Sequence, residues 1–189
     1  MTVHSILQLG DPELRIVAQP IDPADIATVE VQTLIDDLIE TMRDASGAGL
    51  AATQIGIHRR VVVMEVTSNP RYPYKPPLPL TVAINPEIEQ LDDEMVEINE
   101  GCLSVPLRGN VLRNVNIRVR FLDRNGVVHE EVKRGLTAGT WQHECDHLDG
   151  QLITDRADPT SLATWDEYER HHRDAFVERI MEFVERVGS

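Results

Sequence analysis

Hydrophobic positions near the start of the chain follow a helical period. Apolar side chains recur three or four residues apart, at Val31, Leu34, Ile35, Leu38, Ile39 and Met42. Because an α-helix completes a turn in 3.6 residues, this spacing puts all of them on one face. The pattern predicts an amphipathic helix over residues 28–44.

Two short apolar runs in the next region predict buried strands. Residues 60–66 and 80–84 are rich in β-branched side chains and have the length of strands inside a sheet. Residues 69–80 contain five prolines. Proline lacks a backbone N–H and fits neither a helix interior nor a central strand, so residues 69–80 are predicted to form a loop.

Alternating apolar and polar side chains predict a hairpin further along the chain. Every second residue from Val115 to Phe121 is apolar, which is typical of a half-buried strand. Asn125 and Gly126 favour a tight turn, and residues 127–132 are predicted to return as the partner strand.

Two helices are predicted in the last third of the chain. Residues 137–149 form one, with Thr137 as its cap and Gly150 as a left-handed residue after its end. Residues 159–187 carry apolar side chains at near-helical spacing and predict a long C-terminal helix. Strands and helices cluster rather than alternate, which favours an α+β fold with mostly antiparallel strands.

The length and the charge of the chain limit the classes of protein to which it can belong. The 189 residues predict one domain over residues 1–189, with a core of about residues 1–158 and the C-terminal helix after it. The net charge of −14 argues against a general nucleic-acid binder, which needs cations against phosphates. The longest stretch without charge or histidine, residues 45–57, is too short to cross a bilayer. The first residues lack a basic leader, so a cytoplasmic location is expected.

The strongest indication of a catalytic or metal site is the segment His143-Glu144-Cys145-Asp146-His147. On a helix, residues four apart lie one above the other, so His143 and His147 can reach one metal ion. Glu144 is rotated by about 100° from His143, which places its carboxylate beside a metal-bound water without making it a ligand. The alternative is a surface helix with two incidental histidines.

A catalytic metal centre of this type needs a third protein ligand and one open position. The thiolate of Cys102 is a strong candidate, although a buried cysteine is also a common core residue. A zincin-like protease would instead use a ligand after the helix, and the candidates there are Asp155, Glu167, His171 and His172. Cys145 faces away from the predicted metal and is expected to fill the core.

Residues 47–56 are rich in glycine and alanine. They lack the Gly-Lys-Ser/Thr ending of a phosphate-binding loop, so nucleotide binding is weakly supported. Small residues also let another backbone approach closely, and Gln54 can donate a hydrogen bond to an oxygen that gains charge during a reaction.

Three segments together, residues 47–54, 100–104 and 142–147, resemble the three signature motifs of peptide deformylases. The resemblance implies strands wrapped around a central HExxH helix, with a C-terminal helix closing the fold. It implies a metal-dependent hydrolase that removes the N-formyl group from the formylmethionine of nascent polypeptides and releases formate. The open alternatives are an HExxH peptidase that cleaves internal bonds and a catalytically idle deformylase-like binding protein.

The resemblance also implies a role for each matching residue. Cys102, His143 and His147 hold one divalent ion, with Fe²⁺ expected in the cell and Zn²⁺ or Ni²⁺ after purification. Glu144 is the general base and acid. The oxyanion donors are Gln54 and the backbone N–H of Leu103, and the substrate backbone pairs at Gly49 and Ala48.

The chain departs from the family pattern at three places. Arg108 follows Cys102 by six residues rather than seven, so its contact with substrate rests on an imperfect match. Gly139-Thr140 replaces bulkier residues beside the methionine pocket, which predicts a wider pocket with Leu136 as its remaining apolar wall. Some relatives dock on the ribosome through a basic C-terminal helix, whereas residues 165–187 hold seven acidic residues and four arginines. Transient ribosome contact is therefore an open expectation, with no nucleic-acid specificity and no membrane.

Overall fold

A computed structural model describes residues 2–67 and 74–189 of the chain. The described helices of four or more residues with α geometry are α1 (Val29–Asp44), α2 (Gly135–Leu148), α3 (Ile153–Arg156), α4 (Trp165–His171) and α5 (Arg173–Val187). The strands are β1 (Gly49–Ala51), β2 (Val61–Val66), β3 (Leu78–Gln90), β4 (Met95–Cys102), β5 (Val105–Asn114), β6 (Asn116–Leu122), β7 (Val128–Arg134) and β8 (Ala163–Thr164).

The strands form two antiparallel sheets. The larger has the order β1-β2-β3-β6-β7 and the smaller the order β4-β5-β8. Helix α2 packs against β1 and β3 of the larger sheet and against β4 and β5 of the smaller one. The α+β prediction with mostly antiparallel strands is confirmed, and α2 is the helix that carries the HExxH segment.

Helix α1 and the hairpin agree with their predictions. Thr28 begins the helix, since its side chain accepts a hydrogen bond from the Val31 N–H at 3.4 Å. The predicted apolar stripe is buried in one core cluster with residues of β1, β2 and β3. Strands β6 and β7 pair from Asn116 opposite Arg134 to Leu122 opposite Val128, as the alternation predicted.

Strand β3 is longer than predicted. It begins at Leu78 and so includes the end of the predicted loop, whereas residues 69–73 of that loop lie outside the described residues. Pro86 is accommodated because the register shifts between Ile84 and Glu87, where Asn85 has a φ of 50°. The Asn85 side chain holds this bulge through two hydrogen bonds with the backbone of Ile21, at 2.9 and 2.7 Å.

Helix α2 begins earlier than predicted. It follows β7 directly at Gly135, so Thr137 lies within its first turn and is not its cap. The Gly135 N–H donates to the carbonyl of Val115 at 2.9 Å, which joins the helix start to the strand region beside it. Gly150 has a φ of 69°, as predicted for a left-handed residue after the helix.

The predicted single helix over residues 159–187 is wrong in its first part. Residues 163–164 form β8, which pairs with Leu107 and Arg108 of β5. Thr164 then accepts a hydrogen bond from the Glu167 N–H and starts α4, and the helix breaks at His172 before α5. The long C-terminal helix of the fold is therefore α5.

Arg113 joins the smaller sheet to α2 through a buried ion-pair network. Its guanidinium donates to both carboxylate oxygens of Glu100, at 2.7 and 2.8 Å, and to Asp146 at 2.6 Å. The Arg113 side chain is 3% exposed. Asp146 also accepts from Arg156 at 2.7 Å, so loss of Arg113 would leave Glu100 as the buried carboxylate without a guanidinium partner.

We expect Arg113→Leu to lower the free energy of unfolding by about 3–5 kcal/mol, because Glu100 and Asp146 would lose their shared cation. The control is Arg118→Leu on β6, whose side chain is 40% exposed and pairs with Glu89 on the surface. That variant should lose at most about 1 kcal/mol. Urea unfolding followed by circular dichroism measures both. Equal losses would contradict the assigned role of Arg113.

Candidate metal centre

Cys102, His143 and His147 come together at the end of β4 and on one face of α2. Their ligand atoms all lie within 4.8 Å of one another. The Cys102 Sγ is 3.2 Å from the Nε2 of His147, and the two imidazole rings are 5.0 Å apart between centroids. A change of register between Gly101 and Cys102 ends the regular pairing of β4 at this point.

Glu100 orients His143. The Nδ1 of His143 donates to the carboxylate of Glu100 at 2.9 Å, and Arg113 holds the same carboxylate from the other side. With Nδ1 occupied, the Nε2 of His143 is the atom left to bind a metal. No role is predicted for Glu100 from the sequence, although its place two residues before a candidate ligand is a usable signal.

The charges of the centre favour a thiolate. Burial would raise the pKa of Cys102, but the adjacent imidazoles of His147 and His143 outweigh it and lower that pKa to about 5. Burial would likewise lower the pKa of His143, yet its hydrogen bonds to Cys102 and Glu100 raise it well above the usual value. One thiolate and two imidazoles are a suitable donor set for a divalent ion such as Zn²⁺, with room for a fourth ligand.

The other candidate ligands lie elsewhere. The carboxylate of Asp155 pairs with Arg15 and caps the Leu152 N–H. Glu167 and His171 pair with each other at 3.3 Å on the exposed side of α4. Like His171, His172 is exposed at the end of that helix. The structure therefore places Cys102, and none of these downstream residues, beside His143 and His147.

The other cysteine is a core residue. Cys145 is 8% exposed, and burial raises the pKa of its thiol. The predicted packing role of Cys145 agrees with this environment.

Glu144 is buried beside the three ligands. It is 4% exposed, and burial raises the pKa of its carboxyl group. Its Oε2 has no hydrogen-bond partner among the described residues. The backbone of β1 closes one side, since a Cβ at Gly49 would overlap the Glu144 carboxylate. Glycine at this position therefore permits the close approach.

Gln54 faces the same centre with its amide nitrogen. Its Oε1 accepts from the Ala51 N–H at 2.9 Å, which fixes the side-chain amide. Its Nε2 donates to Ser104 Oγ at 3.0 Å and lies 3.6 Å from Cys102 Sγ. A donor held this way is oriented before any ligand arrives.

A single cavity runs along these groups. The sequence-predicted residues on its lining are Ala48, Gly49, Gln54, Cys102, Leu103, Arg108, Leu136, His143 and Glu144. The lining residues for which the sequence predicted no role include Tyr74, Lys75, Ile98, Asn99, Glu100 and Trp165. Tyr74 and Lys75 belong to the predicted proline-rich loop, so part of that segment borders the cavity.

Arg108 is held by the protein on several sides. Its guanidinium lies 4.4 Å from the ring centroids of both Trp165 and Tyr168. It donates to the side chain and the carbonyl of Asn99, each at 2.8 Å. The aromatic partners come from α4, which explains why the motif around Cys102 did not reveal them.

Two residues from other segments lie against Gly139 and Thr140, where the sequence predicts a wider pocket. A Cβ at Gly139 would lie 2.6 Å from the Cδ1 of Ile98, so Ile98 fills the room that glycine leaves. Beside Thr140 the space is taken by Lys75, whose Nζ donates to the Thr140 hydroxyl at 3.3 Å. Ile98 and Lys75 therefore occupy space beside these two small residues.

Comparison with known proteins identifies the family. A family model described as polypeptide deformylase matches residues 3–163. The peptide deformylase of Pseudomonas aeruginosa is 46% identical over 156 residues, covering 82% of this chain and 87% of that protein. The chain belongs to the peptide deformylase family. Peptide deformylase 1 of Bordetella pertussis is 48% identical over 155 residues, with the same two coverages.

Solved structures of the family share the fold. A class I type b peptide deformylase from Acinetobacter baumannii, bound to Met-Ala-Ser, matches with a TM-score of 0.79 and 36% identity, over 82% of this chain and 98% of that one. The peptide deformylase from Thermotoga maritima matches with a TM-score of 0.74 and 36% identity, over 84% and 100%. The chain is thus a hydrolase of this family, which removes N-formyl groups from nascent peptides. No helix among the described residues is long and apolar enough to span a membrane.

We expect Glu100→Gln to weaken metal binding by about 10–100-fold, because His143 would lose the charged partner that orients it. The control is Glu97→Gln on the same strand, whose carboxylate pairs with Arg179 at the surface. Competition with a chromophoric chelator measures both affinities. The same loss in the two variants would contradict a specific role for Glu100.

Proposed function

We propose that Cys102, His143 and His147 hold one divalent ion, Fe²⁺ in the cell, and that the chain uses it to hydrolyse the formyl amide of N-formylmethionyl peptides in the cytoplasm. The observation that carries this proposal is the buried Cys-His-His cluster with the Glu144 carboxylate beside it in an open cavity. A bound ion of this kind supplies Lewis acidity, which lowers the pKa of water and polarises a carbonyl oxygen.

Glu144 moves the proton in the proposed reaction. Its carboxylate takes a proton from the attacking water and passes it to the amide nitrogen as the C–N bond breaks. A C–O bond forms at the formyl carbon, so one water and one formyl amide give formate and a free amine. Burial raises the pKa of Glu144, which brings it closer to the working pH of a general base and acid.

Two donors are proposed to stabilise the charge on the formyl oxygen. One is the Gln54 amide nitrogen, which lies 3.6 Å from Cys102 Sγ. The other is the backbone N–H of Leu103, next to Cys102 on the cavity wall. Donors fixed before the reaction stabilise the developing charge without reorganisation.

Strand β1 is proposed to bind the peptide backbone. It is at the edge of the larger sheet and pairs with β2 alone among the described strands. Gly49 and the preceding Ala48 line the cavity on this edge. An added strand binds many peptides through main-chain hydrogen bonds, which suits a substrate class with variable sequence. Leu136 is proposed as an apolar wall for the first side chain and Arg108 as a contact for the peptide.

Formate release tests the function directly. The chain, prepared without oxygen and loaded with Fe²⁺, should release formate from formyl-Met-Ala-Ser and leave internal peptide bonds intact. No formate release at full metal occupancy would overturn the proposal. Cleavage of internal bonds in an unformylated peptide would instead indicate an HExxH peptidase.

A further inference from the structure

The cavity has a cationic wall that comes from the segment before β3. Lys75 lines the cavity, and its Nζ donates to the hydroxyl of Thr140 at 3.3 Å. That hydroxyl in turn donates to the carbonyl of Leu136 at 3.1 Å, one turn earlier on α2. The ammonium group is therefore held against the stretch of α2 that borders the proposed site for the first side chain.

Two carboxylates act against the effect of burial on Lys75. Burial lowers the pKa of Lys75 below its usual value, and the positive charge of Arg108 adds to that effect. The negative charges of Glu100 and Glu144 act in the opposite direction and favour the protonated amine. Glu100 and Glu144 also line the cavity. Buried charges of opposite sign stabilise a cation that burial alone would disfavour.

Apolar side chains also border this part of the cavity. Ile98 packs against Gly139, and Leu136 is 2% exposed. A side chain entering here meets aliphatic carbon along its length and Lys75 near the Thr140 side. This combination suits an unbranched apolar stem that ends in a hydrogen-bond acceptor.

We propose that Lys75 lets this pocket accept methionine sulfoxide as the first residue, so that the chain also deformylates peptides beginning with formylmethionine sulfoxide. The proposal rests on the proposed function. Oxidation converts the thioether into a polar group with an acceptor oxygen and keeps the methionine stem. An ammonium group carries three donors, and a hydrogen bond from a charged donor is stronger than one from a neutral donor.

A neutral acceptor fits this pocket better than an anionic side chain. Glu100 and Glu144 both act on Lys75 and would repel a carboxylate placed beside it. The sulfoxide carries no net charge, so it gains the hydrogen bond without that repulsion. The sulfur is not reduced in the reaction: water and the formyl amide again give formate and the free amine, and the sulfoxide is retained.

The test compares kcat/KM for formyl-Met-Ala-Ser and for its methionine sulfoxide form. The wild type should hydrolyse the two peptides with values within about tenfold of each other, because the charged hydrogen bond compensates the desolvation of the sulfoxide. Lys75→Met should lower the sulfoxide-to-methionine ratio by about tenfold or more. Lys133→Met is the matched control, because Lys133 lies on β7 beside Glu131 and the chain has no third lysine. Its ratio should equal that of the wild type.

Each outcome decides the proposal. An unchanged ratio in Lys75→Met overturns it, as does a wild-type preference for methionine well above tenfold. If Lys75→Met fails to fold, the wild-type ratio of kcat/KM for the two peptides tests the proposal on its own. Failure of the proposed function is distinct, because the metal-loaded wild type would then release formate from neither peptide.

Discussion

Replacing Glu144 by glutamine should lower kcat for formate release by about 10²–10⁴-fold, the usual contribution of general acid–base catalysis. Glutamine has nearly the same size as glutamate, so the close approach of Gly49 is preserved. Its amide cannot take a proton from water at neutral pH. Metal content should stay at the wild-type level, because Glu144 is not one of the three proposed ligands. Steady-state assay of formate and metal analysis of the same sample measure both quantities.

Glu178→Gln on the exposed side of α5 is the matched control. It removes the same carboxylate far from the cavity and should keep the wild-type kcat. Retention of most of the activity in Glu144→Gln would contradict the proton-transfer role of Glu144.

Cys102→Ala should weaken metal binding by more than about 100-fold, because losing a direct ligand exceeds the 10–100-fold effect of losing an outer partner. Two imidazoles would remain, but the anionic ligand that lowers the charge of the centre would be gone. Formate release should fall in parallel unless metal is supplied in large excess. Equilibrium dialysis against a buffered zinc solution measures the affinity.

The second cysteine of the chain provides the control for this prediction. Cys145→Ala removes a buried thiol from α2, between the two histidines, and burial raises the pKa of that thiol. It should lower stability through lost packing and leave metal affinity unchanged. Equal loss of metal in the two variants would show that Cys102 acts through packing rather than as a ligand.

The spacing of hydrophobic residues predicted the helices and strands that bury one face in the core. The stripe on α1 and the alternation in β6 agree with the structure because each element buries one face and leaves the other more exposed. The prediction of a single helix over residues 159–187 was wrong because the structure at its start depends on a partner far away in the sequence. Residues 163–164 form β8 because β5 offers them a pairing partner, and nothing in their own sequence indicates that pairing. Likewise, β3 tolerates Pro86 only through the bulge that Asn85 supports.

The same distinction applies to the site. The spacing of His143 and His147 on one helix face is local, so it could be read from the sequence. The contact between Glu100 and His143 joins a strand to a helix, and Lys75 reaches Thr140 from a separate segment. The contact between Ile98 and Gly139 also joins distant segments. Such pairs depend on how the sheets pack around α2, which no short motif specifies.

Zinc K-edge X-ray absorption of the zinc-loaded chain tests the proposed ligand set most directly. The account predicts one sulfur ligand at about 2.3 Å and two imidazole nitrogens at about 2.0–2.1 Å, with a fourth light atom completing the shell. A first shell that contains no sulfur would contradict it.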